Sequence, residues 1–192
     1  MIVVAVVVIG LGAPSIQVVS GQPMLTVADL KNRFTISVPI TWHVQTSMAA
    51  FAPSVSATAP TAAGQLPDSV DVTVHDFLTP ITPSGCASGA TMVMRFSIHT
   101  WTTLKEGPIT LDGREAYRRD YVWRASTGAS RRSVQTCVTI DRRAFMLVGT
   151  TANTAEVVEQ NLPLIERIMA TFRPVVSALP SVPTQPNPVE NR

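Results

Sequence analysis

The sequence predicts an α+β domain in which antiparallel strands are closed by a C-terminal amphipathic helix. Two apolar or β-branched runs at 134–140 and 143–150, joined through Asp141-Arg142, predict a tight hairpin. Over about 154–173, apolar residues recur at helical intervals, as in Val158, Leu162, Ile165, Met169 and Phe172. Both faces of the second hairpin strand are apolar, so we expect the helix to cover one of them.

Alternating apolar and polar residues predict the remaining strands. These lie at 33–39, 42–51, 70–75, 109–111 and 114–124, with an Asp112-Gly113 turn between the last two. Residues 52–69 are rich in Ala, Pro, Ser and Thr without periodicity, which predicts a long loop.

Segment 79–104 is ambiguous between helix and strand. From Met92 to Ile98 the large apolar residues occupy every second position, which is the pattern of a strand. A helical stripe can also be drawn through Met92, Phe96, His99 and Thr103, but β-branched residues disfavour it. The local pattern therefore predicts a strand.

The two ends of the chain differ in composition from its middle. Residues 2–13 contain only Ile, Val, Ala, Leu and Gly, which is typical of a signal-peptide core and short for a membrane span. We expect a signal-peptide-like leader at 1–20, an approach segment at 21–32 and no transmembrane anchor; an uncleaved anchor or a buried strand are the alternatives for the leader. The tail, 174–192, is Pro-rich and is expected to be disordered.

Export makes the two cysteines interpretable. They allow one intramolecular pairing, Cys86–Cys137, and an oxidising compartment favours that bond. Closing a loop of about 50 residues would stabilise the fold by roughly 4 kcal/mol. The alternative is a pair of buried free thiols.

Charge and motifs exclude several classes of function. The net charge is only +2, so no global field directs the chain to nucleic acid. The sequence contains no H-E-x-x-H, no C-x-x-C, no phosphate-binding loop and no dinucleotide fingerprint. We therefore expect no cofactor and no nucleic-acid partner.

Three short motifs, in order, resemble those of PsbP-like domains. Phe34-Thr35-Ile36-Ser37-Val38-Pro39-Ile40-Thr41-Trp42 has the family's F-x-I-x-V-P-x-x-W form. Leu111-Asp112-Gly113-Arg114-Glu115-Ala116-Tyr117 is similar to its turn into a long strand, and Ala170-Thr171-Phe172-Arg173 to its closing helix. The resemblance spans about residues 33–173.

The resemblance implies an α/β/α sandwich around an antiparallel sheet, with a helix within 79–104. The family includes extrinsic photosystem II subunits, a nuclear-transport factor and exported mycobacterial lipoproteins of the LpqN type. Its members are largely non-enzymatic accessory or binding proteins. The plant proteins' functional N-terminal extension has no counterpart here, so a photosystem role is not implied.

Catalytic and metal-binding residues are sparse. Asp71 and His75 would share a strand face and form a weak metal candidate, but one local imidazole is too few, so we predict no metal site. Ser84-Gly85-Cys86 and Gly128-Ala129-Ser130 contain nucleophile types without the strand–turn–helix context of a nucleophile elbow. We therefore predict no catalytic residue.

A concentration of arginines is the best candidate for a binding surface. On strand 114–124, alternation places Tyr117, Arg119 and Tyr121 on one face and Arg118 and Asp120 on the other. The candidate anionic-ligand patch comprises Arg114, Arg118, Arg119, Arg124, Arg131, Arg132, Tyr117 and Tyr121. A solvated sheet edge neutralised by nearby carboxylates is the alternative.

The function predicted from these features is that of an exported, non-catalytic accessory or ligand-binding module of the bacterial cell envelope. We expect a monomer whose partner is an anionic envelope component or a protein. A secreted hydrolase with an unrecognised catalytic group, or a structural or adhesive envelope protein, are the alternatives.

Overall fold

The computed structural model describes residues 16–19, 22–49, 52–98 and 100–175. The first strands are β1 (Ile16–Val19), β2 (Gln22–Ala28), β3 (Phe34–Pro39), β4 (His43–Thr46), β5 (Val55–Thr58) and β6 (Ser69–Asp76). Helix α1 (Pro83–Ser97) follows, and then β7 (Trp101–Leu111), β8 (Arg114–Arg124), β9 (Ser130–Ile140) and β10 (Arg143–Ala152). The last elements are α2 (Ala155–Ala170) and β11 (Arg173–Pro174).

The strands form two antiparallel sheets. The larger has the order β4-β5-β6-β10-β9-β8-β7, and the smaller has the order β1-β2-β3-β11. Antiparallel sheets with two helices confirm the predicted α+β class. No helix in the described ranges has both the length and the apolar character needed to cross a bilayer.

The register assigns each side chain of the larger sheet to one of two faces, because successive residues of a strand point in opposite directions. One, here called the α2 face, carries Val72, Val134 and Leu147 and contacts α2 and the smaller sheet. The other, here called the α1 face, carries Arg119 and Cys137 and contacts α1.

The apolar core lies on the α2 face. The rings of Phe34, Phe145 and Phe172 form a cluster with centroids 5.3, 5.5 and 6.2 Å apart. Gly149 of β10 lies directly beneath α2. A Cβ atom there would overlap Cγ2 of Ile165 and come within 3.0 Å of Sδ of Met169. The absence of a side chain at Gly149 therefore allows α2 to approach the sheet closely.

Residues 83–97 form helix α1, so the strand predicted from the alternation at 92–98 is wrong. The helix implied by the PsbP-like resemblance is present instead. Its start follows ordinary capping chemistry, because Oγ1 of Thr82 accepts a hydrogen bond from the backbone N–H of Gly85 at 3.1 Å. Pro83 occupies the first helical position, where no backbone N–H is needed.

The hairpin of 134–140 and 143–150 is confirmed as β9 and β10, with Asp141 in the left-handed region of backbone space at φ 53°. Two other segments contain strands that the sequence pattern did not predict. Residues 22–28, within the predicted approach segment, form β2 and pair with β3. Residues 55–58, within the predicted loop, form β5 and pair with β6.

The predicted leader and tail lie mostly outside the described residues. The exceptions are Ile16–Val19, which pair with β2 as strand β1, and the two residues 174 and 175. Leader cleavage and tail disorder therefore stay predictions.

Candidate functional site

The predicted arginine patch is divided between the two faces of the larger sheet. On the α2 face, Nε of Arg118 donates to Asp120 at 2.7 Å, and the same guanidinium pairs with Glu166 of α2. Arg132 reaches the same Asp120 carboxylate at 3.2 Å. The hydrogen bond to Asp120 raises the pKa of Arg118. These two arginines thus belong to a network that ties α2 to the sheet.

Arg119 lies on the opposite face and is buried. Its Nε donates to Oε2 of Glu106 at 2.6 Å. Its Nη1 donates to the carbonyl oxygen of Ala87 at 3.0 Å and also to the hydroxyl of Thr91, both in α1. The guanidinium therefore fixes α1 to β7 and β8 through three internal contacts.

The two tyrosines lie on the α1 face as the alternation predicts. The ring of Tyr121 is buried and stacks on Trp101, with centroids 3.9 Å apart and planes inclined by 11°. Burial raises the pKa of Tyr121 to about 12, so its hydroxyl stays protonated at physiological pH. Tyr117 packs against the buried cluster that contains Cys137.

The other arginines of the patch have different surroundings. Arg131 is buried and donates to the carbonyl oxygens of residues 66 and 67, and burial lowers its pKa. Arg124 donates to the carbonyl oxygen of Gly128 at 3.4 Å. The Nε of Arg114 is buried and has no hydrogen-bond partner. The patch is therefore not one continuous surface, and anion binding by its members stays a prediction.

Cys86 of α1 and Cys137 of β9 meet on the α1 face, with their Sγ atoms 2.7 Å apart. A disulfide has an S–S length of about 2.05 Å, and both residues are free thiols in the structure. They are buried in a cluster with Ala87 and Ala144. The contact with Cys86, together with burial, raises the pKa of the Cys137 thiol. The expected proximity is present, and the disulfide itself stays a prediction.

The two residues of the weak metal candidate lie on the α1 face of β6. Asp71 accepts hydrogen bonds from the hydroxyls of Ser56 at 2.6 Å and Ser69 at 3.2 Å, and burial raises its pKa despite them. His75 lies about 13 Å farther along the strand, with its ring near that of Phe77. The described residues include no group of three or more His, Cys, Asp or Glu arranged to hold a metal.

A cleft of about 280 Å³, not predicted from the sequence, lies beside His75. It is formed by the turn at 29–33, the β4–β5 turn on both sides of residues 50 and 51, and the end of β6. Its polar lining comprises Lys31, Arg33, Ser47, Ser54, His75 and Asp76.

Hydrogen bonds between turns hold the walls of the cleft in place. Nη2 of Arg33 donates to the hydroxyl of Ser54 at 3.0 Å, and the backbone N–H of Phe77 donates to the carbonyl oxygen of Arg142 at 2.7 Å. These contacts place several turns at one end of the two sheets. We call it the cleft end: residues 29–33, 47–49, 52–54, 77–82 and 141–142.

Among the described residues that line the cleft, Lys31 is the cation whose side chain forms no ion pair. Arg33 pairs with Asp29 at 2.7 Å, and Arg143 pairs with Asp76 at 2.6 Å. The hydrogen bond from Arg143 lowers the pKa of Asp76. Lys31 is exposed and has no hydrogen-bond or ion-pair partner within the described part of the chain. The Asp76 carboxylate lies close enough to attract the Lys31 ammonium, but the two do not form an ion pair, so an anionic group entering the cleft could contact Lys31 directly.

No family model and no curated protein matches the sequence, but solved structures match the fold. The cyanobacterial PsbP (CyanoP) of Synechocystis sp. PCC 6803 aligns with a TM-score of 0.59 at 14% identity, covering 86% of this chain and 96% of that one. LpqN, involved in cell envelope biogenesis of Mycobacterium tuberculosis, aligns with a TM-score of 0.54 at 16% identity, covering 73% and 83%.

A third match is the Ran-binding protein Mog1p of Saccharomyces cerevisiae. It aligns with a TM-score of 0.52 at 10% identity, covering 80% of this chain and 96% of that one. The chain therefore has a PsbP-like fold, which confirms the resemblance seen in its three motifs.

Proposed function

We propose that this chain is an exported, non-catalytic accessory or binding module of the bacterial cell envelope. Its fold is that of CyanoP, LpqN and Mog1p, and the LpqN structure is described as involved in cell envelope biogenesis. A helix on each face of the larger sheet is the arrangement expected of such a sandwich. Because fold alone does not determine function, the proposal depends on the site.

The observation that carries the proposal is the cleft with its unpaired Lys31. The neighbouring charges Arg33 and Asp76 form ion pairs with internal partners, whereas Lys31 forms none within the described residues and interacts with Asp76 only at longer range. The hydroxyls of Ser47 and Ser54 line the same space. An ammonium flanked by hydroxyl donors suits a carboxylate or phosphate group. We therefore assign the cleft to an anionic group of an envelope ligand.

Export would determine the redox state of the cysteine pair. In the envelope, Cys86 and Cys137 would each lose a proton and together give two electrons to a disulfide-bearing oxidoreductase, forming one S–S bond. Their Sγ atoms are already 2.7 Å apart, so the bond requires only a small movement. In the reducing cytosol the same pair would stay as buried thiols.

Ligand binding is tested by retention of the purified full chain on isolated envelope fractions. The chain has two lysines, Lys31 in the cleft and Lys105 exposed on β7. Lys31→Glu should weaken retention by about ten-fold or more, because it removes a charge-assisted contact and adds repulsion. Lys105→Glu makes the same change in net charge outside the cleft, so this variant should be retained on envelope fractions as strongly as wild type. Equal behaviour of the two variants would exclude the cleft as the binding site.

Export is tested separately with a reporter enzyme that is active only outside the cytoplasm. Fused to the C terminus of the full chain in a bacterial host, the reporter should be active. A fusion protein that is produced in full but shows no reporter activity would contradict the proposed location.

A further inference from the structure

Exposed apolar side chains surround the cleft. Leu78 is 95% exposed and Met48 67% exposed, and both lie at the cleft end together with Leu30 and Phe77. Single exposed apolar residues are ordinary on protein surfaces. Here, however, Met48 lines the cleft beside His75, and the ring of Phe77 lies 6.5 Å from that of His75. The apolar residues and the cleft therefore form one continuous surface.

Two free cations accompany these apolar residues. Lys31 and Arg142 are exposed, and neither has an ion-pair or hydrogen-bond partner for its side chain in the described ranges. Of the nearby carboxylates, Asp29 and Asp76 are engaged by arginines, and Asp141 is exposed. Exposed apolar residues beside cations that form no ion pair are typical of surfaces that contact anionic lipid.

We infer that the cleft end rests on the surface of a bilayer that contains anionic lipid. A headgroup phosphate lies beside Lys31, and the side chains of Met48, Phe77 and Leu78 enter the boundary between headgroups and acyl chains. The opposite end, with Leu66 and Ile40, faces away from the membrane. This inference rests on the proposed function, because it names the envelope ligand of the same cleft.

Depth-dependent quenching tests this orientation on the full chain bound to vesicles. A fluorophore is attached to a cysteine introduced by Leu78→Cys at the cleft end or by Leu66→Cys at the other end. The native Cys86 and Cys137 are buried, so the label reacts with the introduced cysteine. Because β6 spans about 25 Å between the two ends, only one label can reach the lipid. The vesicles contain phosphatidylcholine and phosphatidylglycerol, with a spin label on the acyl chain.

Quenching at position 78 should exceed quenching at position 66 by about five-fold or more, because only the former lies at the acyl boundary. Phe77→Ser/Leu78→Ser should weaken binding to these vesicles, whereas Ile40→Ser/Leu66→Ser should not. Equal quenching at both positions, or stronger quenching at 66, would overturn the inference. So would equal binding to vesicles of phosphatidylcholine alone, since the anionic headgroup would then have no role.

The outcome can be separated from that of the proposed function. If Lys31→Glu loses retention on envelope fractions but position 78 is not quenched, the cleft binds an envelope component other than lipid. In that case the inference fails and the proposed function stands. If position 78 is quenched but Lys31→Glu and Lys105→Glu are retained equally, the orientation stands and the cleft assignment fails.

Discussion

The Sγ atoms of Cys86 and Cys137 lie 2.7 Å apart, between helix α1 and strand β9 of the larger sheet. The pair therefore joins α1 to the hairpin of β9 and β10. Reduced, both thiols are buried, and the pKa of Cys137 is raised, which suppresses the reactive thiolate in the folded chain.

Chain recovered from an oxidising compartment should show no reactive thiols, even in denaturant. Cys86→Ala, Cys137→Ala and the double variant should then lose the same stability, roughly 2–4 kcal/mol, because each removes one cross-link. Denaturant unfolding measures the loss. Two thiols that react in denaturant would contradict the disulfide. So would a double variant whose loss of stability equals the sum of the losses of the two single variants.

Asp71 should make folding less favourable as the pH rises. Burial holds its folded pKa above the value near 3.9 of an unfolded aspartate. The folded chain then binds a proton that the unfolded chain releases, so stability falls as pH rises from about 4 through the folded pKa. Asp71→Asn should remove this decline and be more stable than wild type at neutral pH. A decline of equal size in both proteins would rule out Asp71 as its source.

Asp76 should behave in the opposite way, because the hydrogen bond from Arg143 lowers its folded pKa. Its contribution is fully present above the unfolded value of about 3.9 and is lost as pH falls through the folded pKa. Asp76→Asn should therefore be less stable than wild type at neutral pH and approach it in acid. Thermal unfolding across the acidic range measures both aspartate variants under the same conditions.

Gly149→Ala should destabilise the fold, since the new Cβ would overlap Cγ2 of Ile165 in α2. The expected loss is about 1–3 kcal/mol, as for other overpacked cores. Gly107→Ala on β7 is the matched control, because a Cβ there meets no atom within 4 Å. If the two variants have similar stability in urea, α2 does not dock on β10 as described.

Asp120→Asn should weaken the attachment of α2 to β8. Arg118 and Arg132 would both lose the carboxylate that they share, at a cost of about 2 kcal/mol. Glu166→Gln removes a more exposed partner of Arg118 and should cost less than about 1 kcal/mol. Urea unfolding at an unchanged m-value gives the comparison. If Glu166→Gln loses more stability than Asp120→Asn, then Glu166 and not Asp120 is the main partner of Arg118.

Local sequence patterns were sufficient where apolar residues form a helical stripe or a continuous apolar run. The stripe containing Ile165 and Met169 predicted α2, and the apolar runs around Asp141 predicted the β9–β10 hairpin. Alternation also placed Arg118 and Arg119 on opposite faces of β8, as observed.

Periodicity gave the wrong prediction for α1, because the residues that specify this helix are those at its start and not its spaced apolar residues. The start of α1 is specified by Thr82 as cap and Pro83 at the first position, while the alternation from Met92 onward pointed to a strand. The capping signal was present in the sequence and could have identified the helix.

The cleft could not be predicted because its walls come from turns far apart in the sequence. Lys31, Ser54 and His75 have no local pattern in common. They meet only because the register of β5 on β6 and the hydrogen bond from Arg33 to Ser54 bring their turns to one end. The partners of Arg119 and Arg131 are equally distant in the sequence, so the sequence could not show that these two arginines of the predicted patch are engaged in internal hydrogen bonds.

Chemical-shift mapping shows whether the cleft end is the binding surface. Isotope-labelled full chain is titrated with a short-chain phosphatidylglycerol below its micelle concentration. Binding at the cleft should shift the backbone amide signals around Lys31, Met48 and His75, which line it, and leave those around Ile40 and Leu66 unchanged. Shifts confined to the far end, or to the arginines of β8 and β9, would contradict it.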